Sequence, residues 1–271
     1  MINPFADPFM QTALIASLLV GAICAYLGVH VVMRRVVFVG ATLAQVSAAG
    51  VGLAFLLGFN PWTVSLALTL LGVAIFSSRS ADRRTSRESL IAVGYVTASA
   101  LAILFVAKSA AGEAHLLGML SGNILTVTPG QIWGMAIVAG IAALLHFAFA
   151  KQFLFTGLDP DSAQAAGFRS GYWDLLFFLI LGIIIAFAIR IAGALLVFAF
   201  LVAPAVTALL LTERLSKVFI MAIAAASAAT FIGLYLSFMP SLDLPSGPAI
   251  VAVSFVLLAM AAGASRLVRA M

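Results

Sequence analysis

The sequence predicts an all-α integral membrane protein with about nine transmembrane helices, either eight or nine. Two observations lead to this prediction: the composition of the chain and the regular recurrence of long apolar runs. Of the 271 residues, 64% are hydrophobic and only 8% are charged, and the mean hydropathy is +1.22. A soluble domain carries about 25% charged residues, so this chain cannot build a water-facing surface. Because the apolar runs continue along the chain, we expect a single transmembrane domain over residues 1–271.

Nine apolar runs have roughly the length of a membrane-spanning helix, which needs about 20 apolar residues. Charged or Pro/Gly-rich breaks separate one run from the next. The predicted spans are 9–32, 36–58, 61–78, 89–107, 130–150, 174–192, 193–212, 217–238 and 248–265. The segment 108–129 is the least regular, because LLGMLSGNIL within it is apolar enough to re-enter the membrane.

The basic residues predict the orientation, because Lys and Arg concentrate on the cytoplasmic side of membrane proteins. With the N terminus outside and the C terminus inside, 12 of the 14 basic residues are cytoplasmic, and only Lys108 and Arg190 are not. The net charge of +5 therefore reflects insertion into a lipid bilayer and does not indicate a nucleic-acid partner.

The short loops leave no room for a soluble catalytic domain. The chain has no Walker phosphate loop, nucleophile elbow or HExxH motif, so chemistry on a nucleotide would need another chain. The single Cys24 cannot form an intrachain disulfide, and no Cys/His cluster has metal-ligand spacing. We expect neither enzymatic activity nor a cofactor in this chain.

The second predicted span contains an unusual run, GATLAQVSAAG, with Thr42, Gln45 and Ser47 at near-helical spacing. Small residues at 40, 44 and 48 allow close helix packing in lipid, and hydroxyl groups can bond across such a contact. Packing explains Gln45 least well, because a full amide needs hydrogen-bond partners in protein or water. The run is therefore either a packing surface or part of a polar pathway.

Three further positions outside this run are candidates for a pathway. Thr97 lies in the fourth predicted span, and Asn123 follows it in the irregular segment. Pro204 lies inside the seventh span, where it removes a backbone hydrogen bond and must break or kink the helix. A kink of this kind is either a packing solution or a place where backbone carbonyls meet a pathway.

A polar cytoplasmic segment, residues 155–174, contains the sequence DPDSAQAAGF. Asp159 is placed to cap a short helix, Pro160 suits its first position, and Gly167 suits its end. Such a helix is either a plain connector or a knob that docks into a partner protein.

Several stretches together resemble the permease subunits of the metal-ion (zinc/manganese/iron chelate) ABC importers. They occur in the order and at the spacing of that family and cover nearly the whole chain. The stretches are RRVVFVGATLAQVSAAGVGLAFLLG (34–58), LLGMLSGNILTVTPG (116–130), LDPDSAQAAGF (158–168), IAGALLVFAFLVAPAVTALLLTERL (191–215) and LPSGPAIV (244–251).

The resemblance implies the ABC importer permease fold and a multi-pass chain in the bacterial inner membrane that conducts zinc, manganese or iron. It implies a second permease copy, in a homodimer or a heterodimer, and an extracytoplasmic solute-binding protein. It also implies two ATP-binding subunits, which carry ATP and Mg²⁺ and receive a coupling helix at about 159–168. The implied coupling residues are Asp159, Asp161, Ala165 and Gly167.

The sequence departs from the family pattern at the positions implied as metal ligands. Where members typically read F-G-D-x-L-x-H, this chain has Ala41 and Gln45 in place of the acid and the histidine. Where members often read G-D-I-L, Asn123 replaces the acid, and Val96 and Thr97 fall where a histidine is frequent. Transition metals bind carboxylate, imidazole or thiolate ligands, so we predict no metal ligand among these residues. The predicted pathway residues are Ala41, Thr42, Gln45, Ser47, Thr97, Asn123 and Pro204.

These departures leave three versions of the permease open. A different second permease supplies the ligands, the ion passes with little coordination, or the substrate is a non-metal or chelated species. A second class of function is a secondary transporter without an ATPase, although such carriers usually need ionisable groups at mid-membrane. A third class is a structural or regulatory subunit with a closed path. Metal transport driven by a separate ATP-binding subunit is the prediction that the resemblance favours.

Overall fold

A computed structural model describes residues 7–77, 86–108, 124, 127–239, 242 and 244–270 of the protein. All regular secondary structure in these ranges is helical. In chain order the helices are α1 (Pro8–Met33), α2 (Phe38–Leu57), α3 (Pro61–Ser77), α4 (Arg87–Ala107), α5 (Pro129–Ala148), α6 (Ala150–Leu158), α7 (Pro160–Ala165), α8 (Ser170–Ala192), α9 (Ala194–Leu211), α10 (Leu215–Ser237) and α11 (Ser246–Ala270).

Eight helices of the described chain are long and apolar enough to cross a membrane, namely α1, α2, α4, α5 and α8 to α11. Helix α3 is also apolar but has only 17 residues. At 1.5 Å per residue α3 is about 26 Å long, slightly less than the roughly 30 Å hydrocarbon core of a bilayer. The prediction of an all-α membrane protein with eight or nine membrane helices is confirmed. The N-out, C-in orientation stays a prediction.

The described residues group into two compact units, each of which is built from segments distant in sequence. The first unit lies within Met1–Val32, Ser121–Ile137 and Ala188–Met271. The second unit lies within Met33–Leu120 and Val138–Phe187. The predicted single domain over 1–271 stays a prediction.

Small residues bring the helix backbones of the first unit into contact. A Cβ atom on Gly28 of α1 would lie 2.0 Å from the carbonyl oxygen of Leu201 in α9. A Cβ atom on Gly233 of α10 would lie 2.5 Å from the Cα atom of Ile250 in α11. Only glycine permits such close approach, which in lipid replaces the hydrophobic effect as a source of helix association.

In the second unit, a glycine likewise brings the backbones of α2 and α3 into close contact. A Cβ atom on Gly50 would lie 2.6 Å from the Cα atom of Ser65. One turn earlier on α2, the Ser47 hydroxyl lies 2.7 Å from the Ser65 hydroxyl, and both side chains are buried. Close backbone approach and an interhelical hydrogen bond therefore act together in this contact.

The fifth predicted span, 130–150, ends differently in the structure. Helix α5 stops at Ala148, Phe149 leaves the helical conformation, and α6 continues for nine residues to Leu158. Hydrogen bonds still run through Phe149, so the interruption is confined to this residue. Helix α6 is amphipathic, and its buried Phe153 stacks on His146 of α5 at 4.3 Å between ring centroids. Hydropathy alone does not predict α6, because its polar residues lower the mean hydropathy of the segment below that of a membrane span.

Candidate functional site

Two of the predicted pathway hydroxyls in α2 bond to neighbouring helices. The Thr42 hydroxyl lies 2.9 Å from the Phe38 carbonyl oxygen and 3.0 Å from the Ile91 carbonyl oxygen in α4. Its single proton can be donated to either carbonyl. Ser47 bonds to Ser65 of α3. Both hydroxyl groups therefore join α2 to the adjacent helices of the second unit.

Ala41 and Gln45 form a second group on α2. They are four residues apart, so they lie one above the other on the same face of the helix, and both are half-buried. Within the described residues the Gln45 side chain makes no protein hydrogen bond. A partly exposed amide of this kind offers one carbonyl acceptor and two N–H donors to water or to a passing solute. This face is the part of α2 best suited to a polar pathway.

The remaining predicted pathway residues belong to other parts of the chain. Thr97 is exposed on α4, whereas Ala98 and Ile91 of the same helix are buried. Asn123 lies outside the described residues. Pro204 is buried in the first unit, so it belongs to the other compact unit.

Helix α9 continues through Pro204 from Ala194 to Leu211 and is not broken there. The predicted break is therefore absent, because helical bonding resumes on both sides of the missing N–H group, and the predicted alternative of a kink stays a prediction. Proline still leaves the carbonyl of Phe200 without its usual i+4 amide donor. The clear interruption between α8 and α9 lies at Gly193 instead, where φ is +81°. Glycine adopts this left-handed conformation without the steric cost that a Cβ atom would bring.

The 159–168 segment has the ends that the sequence predicts. The Asp159 carboxylate accepts a hydrogen bond from the Ser162 amide at 3.0 Å and caps α7, and Pro160 takes the first helical position. Gly167 ends the helix with φ +87°. The Phe168 amide donates to the Ala163 carbonyl and the Gly167 amide to the Gln164 carbonyl, which together form a Schellman motif. The predicted short helix is confirmed.

The Asp159 carboxylate has a lowered pKa. The largest cause is the hydrogen bond from the Ser162 hydroxyl, followed by the bond from the Ser162 amide, because both favour the charged form. A lowered folded-state pKa means that this cap contributes fully above the unfolded pKa of a carboxyl group. The contribution is lost only as the pH falls through the folded pKa, so α7 keeps its cap throughout the neutral range.

One side of α7 is open to a partner. Asp161, Ala165 and Gly167 are exposed, whereas Ala163 between them is fully buried. Beside the helix, the rings of Phe168 and Phe155 pack edge to face at 5.9 Å. The segment is therefore a short capped helix with one side buried against the protein and the other side exposed.

Sequence reasoning missed a buried ion cluster in the second unit. Asp174 in the first turns of α8 forms ion pairs with Arg34 and with Arg87. We call these three residues the Asp174 cluster. The distribution of basic residues along the sequence predicts only that these arginines are cytoplasmic anchors. A useful indication was present in the sequence, because an acid within an apolar run must find a partner when it is buried.

The described residues contain no group of three or more His, Cys, Asp or Glu side chains that could hold a metal ion. The half-buried face of Ala41 and Gln45 adds only one neutral carbonyl oxygen. A neutral oxygen is a weak ligand for transition metals in comparison with carboxylate, imidazole or thiolate groups. The face can therefore contact a hydrated or chelated ion, or a neutral solute, without binding it tightly.

Comparison with known proteins places the fold. The family model described as the ABC 3 transport family matches residues 6–264. The chain belongs to this family. The match covers all of the described membrane helices apart from the last residues of α11. Members of an ABC 3 transport family are transport proteins, so the eight candidate spans belong to a multi-pass transport subunit.

Relatives of this ABC 3 chain align with it over most of their length. MntC, a manganese transport system membrane protein of Listeria monocytogenes serovar 1/2a, is 31% identical over 255 residues, 92% of this chain and 88% of MntC. ScaB, a manganese import system permease protein of Streptococcus gordonii, is 29% identical and aligns over 91% of this chain and 87% of ScaB. A chain of PsaBC from Streptococcus pneumoniae, solved in complex with Fab, gives a TM-score of 0.81 at 25% identity. That likeness covers 94% of this chain and 91% of the other.

The amide of Gln45 gives a direct test of the pathway face. In a Cys24→Ala background, we expect Gln45→Cys to react with a small polar thiol reagent in at least one transport state. The matched control is Ser47→Cys. Ser47 lies two residues after Gln45 on the same helix, but its side chain is buried against α3. We expect the rate at position 45 to exceed that at 47 by about tenfold, since only a water-accessible thiolate reacts. Protection of both positions in every state would place Gln45 in helix packing.

Proposed function

We propose that this chain is the permease subunit of an ABC importer and forms the membrane pathway for a divalent metal ion. The observation that carries the proposal is the ABC 3 family match over residues 6–264. Full-length similarity to MntC and ScaB, which are named for manganese transport, supports manganese as the first ion to test. The likeness to PsaBC supports the same fold and assembly class.

The proposed assembly contains partners that supply the energy and the substrate. Separate ATP-binding subunits hydrolyse ATP with Mg²⁺, so this chain is not an enzyme. A second permease, identical or different, completes the pathway, and an extracytoplasmic solute-binding protein delivers the ion. The assembly lies in the bacterial inner membrane. The exposed side of α7, with Asp161, Ala165 and Gly167, docks into the ATP-binding subunit.

The pathway runs along the face of α2 that carries Ala41 and Gln45. Its neutral lining holds a divalent ion loosely, because an alanine and an amide replace the stronger ligand types. Weak binding within a pathway permits release, which conduction requires as much as entry. The same lining favours one alternative, a permease of this fold that moves a chelated or non-metal substrate.

Co-assembly tests the ABC class separately from the identity of the ion. We expect the chain to purify with the ATP-binding subunit from its own genome, and the solute-binding protein to stimulate ATP hydrolysis by the reconstituted complex. A secondary transporter would show ion flux without this subunit and without ATP. Failure to assemble with any ATP-binding subunit, combined with ATP-independent flux, would overturn the proposal.

A further inference from the structure

The Asp174 cluster pairs one carboxylate with two arginines at one end of several membrane helices. The Asp174 side chain is 3% exposed, that of Arg34 6%, and that of Arg87 26%. Arg34, in the turn between α1 and α2, pairs with Oδ1 of the carboxylate. The Nη1 atom of Arg87, at the start of α4, lies 3.3 Å from Oδ2. Each oxygen of the acid therefore has its own arginine.

Three further donors of these arginines bind backbone carbonyls on two more helices. Arg34 Nη2 donates to the Phe153 carbonyl oxygen of α6 at 2.8 Å. Arg87 Nε donates to the Phe76 carbonyl oxygen at 2.9 Å, and Nη2 donates to that of Ser77 at 3.1 Å. Phe76 and Ser77 are the last two residues of α3 as the structure describes it, and the carbonyl oxygens near the C-terminal end of a helix attract a cation. The cluster thus joins α3, α4, α6 and α8.

An aromatic ring lies against each of the two guanidinium groups. The Cζ atom of Arg34 lies 4.3 Å from the centroid of the Phe177 ring, and that of Arg87 lies 4.4 Å from the Phe178 ring. Both phenylalanines are fully buried in α8, directly after Asp174. Guanidinium groups are attracted to aromatic faces, so each ring adds a further contact that holds its arginine in place.

The cluster contacts the residues that come just before the 159–168 segment and includes a residue that comes just after it. Before the segment, Gly157 of α6 packs so closely that a Cβ atom there would lie 2.8 Å from Arg34 Nε. After the segment, Asp174 follows within the first turns of α8. One side chain, Arg34, therefore contacts the helix that enters the segment and the acid of the helix that leaves it.

Stability alone does not account for this arrangement. Apolar residues of similar volume replace buried ion pairs in many proteins at little cost in stability, so a buried pair is weak support for a purely stabilising role. A paired arginine also fixes relative orientation, because its planar guanidinium group donates hydrogen bonds only to partners in a narrow range of positions. The cluster therefore sets the relative positions of four helices, α3, α4, α6 and α8, in addition to holding them together.

We infer that Asp174, Arg34 and Arg87 are positioning residues that transmit movement of the 159–168 segment to the membrane helices. The inference rests on the proposed function, in which α7 docks into an ATP-binding subunit. A displacement of α7 moves α6 and the start of α8, and the cluster carries this movement to the end of α3 and the start of α4. Movement of these helices changes the position of α2, which packs on α3 and α4 through Ser47 and Thr42.

The test measures coupling in the reconstituted complex as the amount of Mn²⁺ transported per ATP hydrolysed. We expect Asp174→Asn and Arg34→Lys to lower this ratio by about tenfold, a usual size for coupling between sites, while the complex still assembles and hydrolyses ATP. Arg34→Lys is informative because it keeps the charge and removes only the planar guanidinium group. Glu88→Gln and Arg169→Lys are the controls, because both residues are exposed charges beside the cluster and the segment.

A milder substitution distinguishes a loss of coupling from misfolding of the chain. Gly157→Ala adds one methyl group that must displace the Arg34 guanidinium, and Gly171→Ala is its control, because a Cβ atom there meets nothing within 4 Å. We expect the first change to lower the coupling ratio and the second to leave it unchanged. A merely structural role would instead lower assembly and ATP hydrolysis in parallel, with the ratio preserved. Wild-type ratios in assembled Gly157→Ala and Arg34→Lys complexes would overturn the inference.

Failure of the proposed function gives a different result. If the wild-type complex moves no Mn²⁺ but its ATP hydrolysis responds to the solute-binding protein, only the identity of the substrate is wrong. Loss of that response in the cluster variants would then support the inference, and its retention would contradict it. If the wild-type complex shows neither transport nor a response, α7 is not a coupling element and the inference fails with it.

Discussion

Gly167→Val is expected to lower ATP-driven uptake by the assembled transporter by about tenfold while leaving the chain in the membrane. Gly167 has φ +87°, and its amide forms one of the two hydrogen bonds that end α7. A left-handed conformation costs an ordinary residue about 1–2 kcal/mol, and a β-branched side chain tolerates it least. A six-residue helix has little stability of its own, so losing this end distorts the exposed face of α7.

The matched control for this change is Gly171→Val in the first turn of α8. A Cβ atom at Gly171 meets nothing within 4 Å, so the added volume is the same and the strain is absent. Uptake and ATP hydrolysis should be measured on the same proteoliposomes, with membrane insertion checked by the yield of purified chain. Normal uptake by the Gly167→Val complex would show that α7 does not couple ATP hydrolysis to transport.

The double change Ala41→Asp/Gln45→His is expected to raise retention of Mn²⁺ or Zn²⁺ by the purified complex by about tenfold or more. The two positions lie four residues apart on one face of α2 and are half-buried, so the new carboxylate and imidazole face the same space. Carboxylate and imidazole are ligand types that first-row metals prefer. Metal content should be measured by elemental analysis after removal of free ion.

Ala41→Asp/Val46→His is the control for this gain of binding. Val46 is also half-buried but lies on another face of α2, so the same two ligand types cannot converge. Equal retention by both variants would mean that binding does not depend on the Ala41 and Gln45 face. Absence of any gain in the first variant would indicate that this face does not border a space open to ions.

The 159–168 segment could be predicted from sequence because its ends are set by neighbouring residues. Asp159, Pro160 and Gly167 each act within about one turn, through a side-chain cap, a fixed φ angle and a left-handed conformation. The membrane helices could also be predicted from sequence, because length and hydropathy are local properties of the chain. The docking role of the segment depends on another protein, so it stays a prediction.

The Asp174 cluster was not predicted because its members are far apart in sequence. Arg34 and Asp174 are separated by 140 positions, and Arg87 and Asp174 by 87. The rule that places basic residues on the cytoplasmic side explains both arginines without any partner. Only the fold shows that they share one carboxylate.

The polar residues of α2 illustrate the same limit on a smaller scale. The sequence predicts Thr42, Gln45 and Ser47 together as pathway residues, and helix packing explains Gln45 least well. In the structure, Thr42 and Ser47 bond to α4 and α3, and these bonds account for their presence in an apolar helix. Gln45 differs, because its amide is half-buried and makes no protein hydrogen bond in the described chain. Periodicity cannot distinguish these cases, since it does not identify the partner across the helix contact.

ATP-dependent uptake of radioactive Mn²⁺ into proteoliposomes tests the central claim most directly. The complex should contain this chain, its ATP-binding subunit and its solute-binding protein, with Zn²⁺ and Fe²⁺ examined alongside. The account predicts accumulation of at least one of these ions with ATP and none with a non-hydrolysable ATP analogue. ATP hydrolysis that responds to the binding protein without movement of any of the three ions would contradict it.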